Sequence, residues 1–457
     1  MTRRWAIGRG SGLRVGMLSS VGLVVMVAAS GRAAAQMAPA APESLGVGDW
    51  QLTPKAELRL RGEYWHDLDG QDDGVGLERA RLGLDVERGP LEMRLVLQDA
   101  RAFTLSTAAP FAGGGTVSVT GAYEAWIEAH TDGLRPSFVR AGRQPITWGE
   151  GRLLGESDWS PAGRSLDAVR GRLVVHDASF ELLAAALSFP EDGLALDTYG
   201  ELLGARAEWA FDPLFAAEAY VLVRVAQETP PGSLPVKGET YTGALRLYGD
   251  SRGWTWGAEG AYQLGRVVQL AANRGAWAAA GHVAYAFEGA VLRPAVQIGL
   301  SYATGDSGGA TYRQFDPLLP DVHRWHGAMD LFAWSNEAEI NGRVSIAPAT
   351  DVQAWVEYRY ARLAQRGAPW ETAYLTTIGT SGGNHYVALG HEVDAALRWS
   401  PWDPLALEVG YSILFLGEGA EDILAANGIG RIDSPAAGVS PGELAHFAYA
   451  QATVRLP

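Results

Sequence analysis

Lys55-Ala56-Glu57-Leu58-Arg59-Leu60-Arg61-Gly62-Glu63-Tyr64 alternates charge with apolarity at every step. Lys55, Glu57, Arg59, Arg61 and Glu63 fall on one side of a strand, and Ala56, Leu58, Leu60, Gly62 and Tyr64 on the other. Successive strand side chains point to opposite faces, so one face is oily and the other charged. In a soluble sandwich the oily face would be a core; in a membrane barrel it meets lipid and the charged face lines a wet lumen.

The same rhythm recurs along the chain. A second stretch puts Arg79, Arg81, Asp85 and Glu87 opposite Ala80, Leu82, Leu84 and Val86, and a tight turn at Arg88-Gly89-Pro90 leads to a third. Eighteen such stretches can be traced. Short connections near Asp132-Gly133, His176-Asp177, Asp212-Pro213, Asp250-Gly253, Glu288-Gly289, Pro348-Asp351 and Ser400-Pro404 alternate with long ones, among them 144–167, 303–336, 363–388 and 416–443. Outer-membrane barrels have an even strand number, short periplasmic turns and long external loops. The expected fold is therefore all-β: a transmembrane up-and-down antiparallel barrel of about 18 strands over residues 50–457 as one domain. Stretches 7 and 18 do not show their facing, because neither sets charge clearly against apolarity.

Aromatic pairs (Trp209 and Phe211, Trp254 and Trp256, Trp399 and Trp402) flank short turns, as in the girdle of a membrane interface. Residues 1–35 read as a secretory signal: Arg3, Arg4, Arg9 and Arg14 precede the apolar run Met17 to Ala29, and Ala33 and Ala35 suit cleavage before Gln36. Residues 36–49, with Pro39, Pro42 and Gly46, read as a flexible periplasmic lead-in.

Composition narrows the function. There is no cysteine, hence neither disulfide nor thiolate metal site. The formal charge of −15 becomes −20 once residues 1–35, with five arginines and no acid, are removed; nucleic acid is excluded as a partner. All basic residues except Lys55 and Lys237 are arginine. An arginine facing lipid near the midplane costs about 2–4 kcal/mol. Parity instead puts Arg59, Arg61, Arg79, Arg81, Arg94, Arg140, Arg170, Arg172, Arg206, Arg224, Arg246, Arg293, Arg343, Arg359 and Arg398 in the lumen as a candidate solute-binding lining. Guanidinium forks match carboxylates. Inward acids, among them Glu57, Asp85, Glu128, Glu218, Glu339, Glu357, Glu392 and Asp394, nearly balance them, so most arginines are expected in cross-strand ladders and about a third unpaired.

The run Ala141-Gly142-Arg143-Gln144-Pro145-Ile146-Thr147-Trp148-Gly149-Glu150-Gly151-Arg152-Leu153-Leu154-Gly155, followed by Asp158-Trp159-Ser160, Gly163-Arg164-Ser165 and Asp167, resembles the alginate export porin family. Phe315-Asp316-Pro317-Leu318-Leu319-Pro320, Met329-Asp330, Ser335-Asn336 and Gly390-His391-Glu392-Val393-Asp394 support the resemblance. It implies an 18-stranded outer-membrane barrel carrying the anionic polyuronate alginate outward through an arginine-rich constriction. The segment Trp148 to Asp167 is expected either to fold inward or to cap the outside, its glycines and tryptophans being structural.

Other motifs are weaker. Gly305-Asp306-Ser307-Gly308-Gly309 imitates a serine-protease nucleophile segment but lacks its surroundings. His323 and His326 with Asp321 are a faint metal signal, and no catalytic residue, metal or cofactor is assigned. The expectation is a non-enzymatic, monomeric outer-membrane porin, sent there by its signal peptide and surrounded by lipid and lipopolysaccharide. It would pass an anionic polysaccharide or a small anionic solute, with periplasmic export partners. The alternatives are an uptake porin for small acids or sugars and, further off, a barrel hydrolase.

Overall fold

The computed structural model describes residues 44–66, 68, 72–104, 118–132, 136–187, 200–212, 214–228, 236–287, 289–380, 386–427 and 444–456. The expected signal segment, residues 36–43 of the lead-in, Asp67, Asp69, Pro213, Glu288 and the middle of several long loops lie outside the described residues.

Eighteen strands form the barrel. They are β1 (Trp50–His66), β2 (Asp72–Arg88), β3 (Leu91–Thr104), β4 (Val119–His130), β5 (Phe138–Gln144), β6 (Leu166–Val175), β7 (Ala178–Leu187), β8 (Gly200–Asp212) and β9 (Phe215–Glu228). Then come β10 (Val236–Ser251), β11 (Trp254–Val267), β12 (Ala272–Ala286), β13 (Ala295–Ala303), β14 (Glu337–Ala349), β15 (Val352–Leu363), β16 (Ala388–Trp402), β17 (Leu405–Leu416) and β18 (Leu444–Leu456). Each pairs antiparallel with its sequence neighbour. β18 closes the ring on β1, with Leu456 opposite Ala56 and His446 opposite His66. Closure leaves no open edge, the condition for sheet structure in a bilayer. In the lead-in, Leu45–Val47 folds back on Trp50–Leu52 as a short extra strand.

The facing follows the alternation. Arg59, Arg61 and Glu63 are buried inside, while Leu58, Leu60 and Tyr64 are exposed outside. Such a continuous apolar exterior would aggregate in water and suits acyl chains. The outward aromatics form contacts along the short-turn end: Trp209 stacks on Phe211, Phe211 meets Phe215, and Trp254 meets Tyr285. Arg252 and Gly253 both have positive φ (52° and 82°), a two-residue hairpin turn whose twist matches the strands.

Apolar packing lies inside the barrel, where the long loops enter. Leu183, Ala185 and Leu187 of β7 and Leu222 of β9 share one cluster with Trp148, Leu154, Phe315, Leu319 and Trp334 from two loops. A second gathers Trp65, Met329, Phe332, Trp370 and Phe447 with Ile423 and Leu424 of helix α1 (Glu418–Ala426). This explains why β7 shows no facing in sequence. From Leu183 onward its inner face is apolar too, being covered by loops, while Ser179 and Glu181 face inward before it and Phe180 and Leu182 turn outward.

Candidate solute pathway

Two long loops define the lumen. Loop A (145–165) joins β5 to β6, and loop B (304–336) joins β13 to β14. Loop A folds inward and does not cap the outside. Its Trp148 is fully buried, donates Nε1 to Glu181 Oε1 at 3.0 Å and lies over Gly204, where a Cβ would stand 2.5 Å from the indole. Gly149 turns at φ 60° against Glu259, and Gly163 at φ 64° against Arg81 and Tyr123, where side chains would clash. The glycines and tryptophans are therefore the packing elements of an inward turn.

The two loops fasten to each other. Leu154 and Leu319 form a parallel bridge, Gly155 N donates to Leu319 O (2.8 Å), and Asp321 N donates to Gly151 O (2.7 Å). Arg164 Nη1 donates to three carbonyls, those of Gly155, Leu319 and Pro320. Arg152 lies over Trp325, and Trp159 stacks on His323 with ring centroids 3.5 Å apart. Loop B, expected as an external loop, thus lines the lumen; its tip from Ser307 to Thr311 is exposed, as are Arg313 and Arg324. There Asp306 accepts from the backbone N–H of Gly308 and of Arg313, so the protease-like segment is a turn with its carboxylate occupied.

The wall arginines hold these loops. Arg59 donates to the carbonyls of Asp158 (2.7 Å), Trp159 (3.2 Å) and Ser160 (3.1 Å). Arg79 bridges Glu57 and Asp158 (both Oδ atoms), and Arg81 reaches Asp158 while its guanidinium lies over Tyr123. Burial alone would raise the Asp158 carboxyl, but the pull of Arg79, Arg59 and Arg81 outweighs it and holds it at about 2. Arg61 pairs with Glu63 and lies over Trp159. Strict parity missed Tyr123: a register shift between Val96 and Leu97 places it as an extra residue, so that both Tyr123 and Glu124 turn inward.

Most other arginines are paired with wall or loop carboxylates. Arg94 meets Asp85; Arg140 meets Glu128; Arg170 and Arg206 meet Glu181; Arg172 meets Glu208 at 3.6 Å. Arg246 meets Glu218 and Glu150; Arg224 meets Asp316; Arg343 and Arg359 meet Glu357. Two expectations are corrected. Arg293 is not lumenal. It sits in the short β12–β13 turn at φ 42° and donates Nε to Ala347 O, because the strand begins only at Ala295. And far fewer than a third of the assigned arginines lack a partner, because loops A and B bring in acceptors that cross-strand counting omits. Among the assigned lumenal arginines only Arg398 makes no hydrogen bond or ion pair with the described residues.

The remaining motif residues are placed as follows. Arg143 and Asp167 form a bidentate pair (2.9 and 2.7 Å) across β5 and β6. Gln144 is buried and donates to Ala168 O, and Gly142, at φ 126°, has no room for a Cβ beside Ala125 O.

Arg398 opens into a lumenal cavity of about 360 Å³. Arg59, Arg324 and Arg455 line it as well, opposite Asp158, Asp321 and Glu408. Arg324 stands 3.8 Å from Asp321 and is half exposed, and Arg455 pairs with Glu57 at the cavity rim. Burial, first of all, raises the Asp321 carboxyl, which weakens its hold as a counter-charge. Larger hollows of about 820 and 760 Å³ lie among outward residues such as Leu182, Val221, Val283 and Ile340, on the surface that meets lipid. Arg324 and Arg455 escaped the parity reading, one being on a loop and the other on the weakly patterned β18.

A closed antiparallel barrel with lipid-facing alternation and a charged lumen narrowed by inward loops is an outer-membrane porin. The alginate export family model matches residues 51–423, and the chain belongs to that family. No curated protein matches the chain in sequence. Among solved structures it is similar to Pseudomonas aeruginosa OccK2 (OpdF), with TM-score 0.57 and 11% identity over 88% of this chain and 97% of that one. The same protein in complex with glucuronate gives TM-score 0.56 and 10% identity, over 88% and 98%. P. aeruginosa OpdK with vanillate gives TM-score 0.54 and 12% identity, over 88% and 98%. At these identities the likeness is one of fold.

Proposed function

We propose that this porin passes carboxylate-bearing sugars, alginate-like chains threading singly past the cavity at Arg398. The observation that carries the reading is Arg398 itself: a lumenal guanidinium without a partner among the described residues, in a cavity that Arg59, Arg324 and Arg455 share. A focused positive zone attracts anions whatever the net charge, because the field in a narrow cleft follows the nearest charges. One open guanidinium among many satisfied ones holds a carboxylate without trapping it, which is what conduction needs. Family membership supports a polyuronate as cargo. The leader 1–35, with cleavage before Gln36, and the monomeric state belong to the same proposal, as do periplasmic export partners.

A second reading, uptake of single small acids, draws on a different observation. Loops A and B occupy much of the lumen, and the cavity volume lies near the low end of small-molecule pockets, about 300–1,000 Å³. The structural neighbours solved with glucuronate and vanillate lend it support. Planar-bilayer recording separates the two. On the first reading, the reconstituted channel prefers anions and polyuronate oligomers block its current more strongly than glucuronate. Stronger effects of the monomer would favour uptake, and a cation-preferring channel indifferent to both would refute each. Because Arg59, Arg81 and Arg170 hold a loop or a wall partner, the informative substitution is Arg398→Ser with Arg324→Ser.

A further inference from the structure

We propose that His326, Glu337 and Glu339 form a divalent-cation site that fastens loop B to the barrel wall. Glu337 and Glu339 are two apart on β14, so both point to the lumen. His326 hangs from loop B between them, its Nδ1 3.1 Å from Glu337 Oε2 and 3.2 Å from Glu339 Oε2. The three donor atoms all lie within 4.8 Å of one another. Tetrahedral nitrogen and oxygen ligands about 2.0–2.2 Å from a shared zinc stand about 3.4 Å apart, close to the 3.1 and 3.2 Å of the two histidine edges.

Glu337 supplies the independent observation. It is 2% exposed, and among the described residues its oxygens have no partner other than the His326 imidazole 3.1 Å away. A buried carboxylate in that state is costly unless a cation completes it. Glu339 is prepared differently: its Oε1 takes Arg359 and Asn341, leaving Oε2 toward His326. The surroundings are short of positive charge. Among the described residues, Glu337, Glu339, Glu357, Glu392 and Asp394 pair only with Arg343 and Arg359 besides the imidazole, and Glu392 Oε2 and Asp394 Oδ1 have no hydrogen-bond partner. One imidazole and two carboxylates suit a borderline ion such as Zn²⁺ better than Ca²⁺, which prefers six or more oxygens.

Glu92, Glu128 and His130 also converge, and they act as a built-in control. There Arg140 Nε lies 2.7 Å from Glu128 and Arg94 lies 3.5 Å from Glu92, so charge is already balanced.

The test uses the mature barrel folded in detergent, stripped with EDTA and titrated with Zn²⁺ by calorimetry. One ion should bind per chain. His326→Ala and Glu337→Gln should each weaken binding at least about tenfold, while Glu128→Gln should leave it unchanged. Heat-modifiable gel mobility checks that each variant is folded. As a readout that needs no variant, Co²⁺ added to the stripped wild-type protein should give visible ligand-field bands that Zn²⁺ removes. Absence of stoichiometric Zn²⁺ binding, or binding unaltered in folded Glu337→Gln and His326→Ala, would overturn the proposal.

Discussion

Loops A and B enter the same lumen but are held by opposite chemistry. Loop A offers an acid, Asp158, to wall arginines 59, 79 and 81. Loop B offers an imidazole and backbone donors to wall acids: His326 to Glu337 and Glu339, and Met329 N to Glu392 Oε1 at 3.0 Å. On the first wall arginines are in surplus and every one near Asp158 has acceptors. On the second carboxylates are in surplus and several oxygens have no donor. The same strand pattern thus serves two anchors, one built on surplus guanidinium and one on surplus carboxylate.

The largest effect expected is at loop A's packing. Trp148→Ala removes a fully buried indole and its bond to Glu181, and should cost about 3–5 kcal/mol in urea unfolding. Freed from Gly204, loop A should also give a larger single-channel conductance. An unaltered conductance would mean that the loop-to-loop bonds alone hold it.

Next is Arg79→Ala, which takes from Glu57 and Asp158 the partner they share and leaves only Arg455 to the one and Arg59 and Arg81 to the other. Breaking a buried pair costs about 3–5 kcal/mol, and the partial exposure of Asp158 (38% of its side chain) places this one near about 3. Equilibrium unfolding measures it, and a loss below about 1 kcal/mol would deny the arginines their anchoring role.

Acid should reach the same anchor. The folded Asp158 carboxyl is depressed to about 2, so its contribution is complete above the ordinary carboxylate value near 4. It is lost as pH falls through about 2. Tryptophan fluorescence followed from pH 4 downward should report movement of Trp159, and Asp158→Asn should flatten that transition.

On the opposite wall the sign reverses. Glu392→Gln keeps the acceptor for Met329 N and removes a buried, under-paired charge. Stability should be unchanged or rise by about 1 kcal/mol. A marked loss would show that this wall is charge-balanced after all. Smallest of all is Arg398→Ser, which should shift stability by less than about 0.5 kcal/mol while lowering anion preference in bilayer recordings.

The wall charges were legible because alternation is local. Arg59, Arg61, Arg79 and Arg81 fall inward once β1 and β2 are recognised. Arg293 was misplaced because parity cannot tell where a strand stops. Tyr123 was missed because a bulge changes parity without leaving a mark in composition. β7 stayed ambiguous because the inner face of its second half, Leu183, Ala185 and Leu187, is apolar and covered by loops.

By itself the sequence determined the closed barrel, its strand number and which face each regular strand turns to lipid, since a bilayer imposes strict alternation and full backbone pairing. The family was legible in the motif from Ala141 to Asp167. Only the tertiary structure decided which arginines are spent and which is open. Loops A and B carry Asp158, Asp316 and the carbonyls of residues 158–160 to walls far away in sequence, and that reach depends on how the loops fold into the lumen, not on any local pattern.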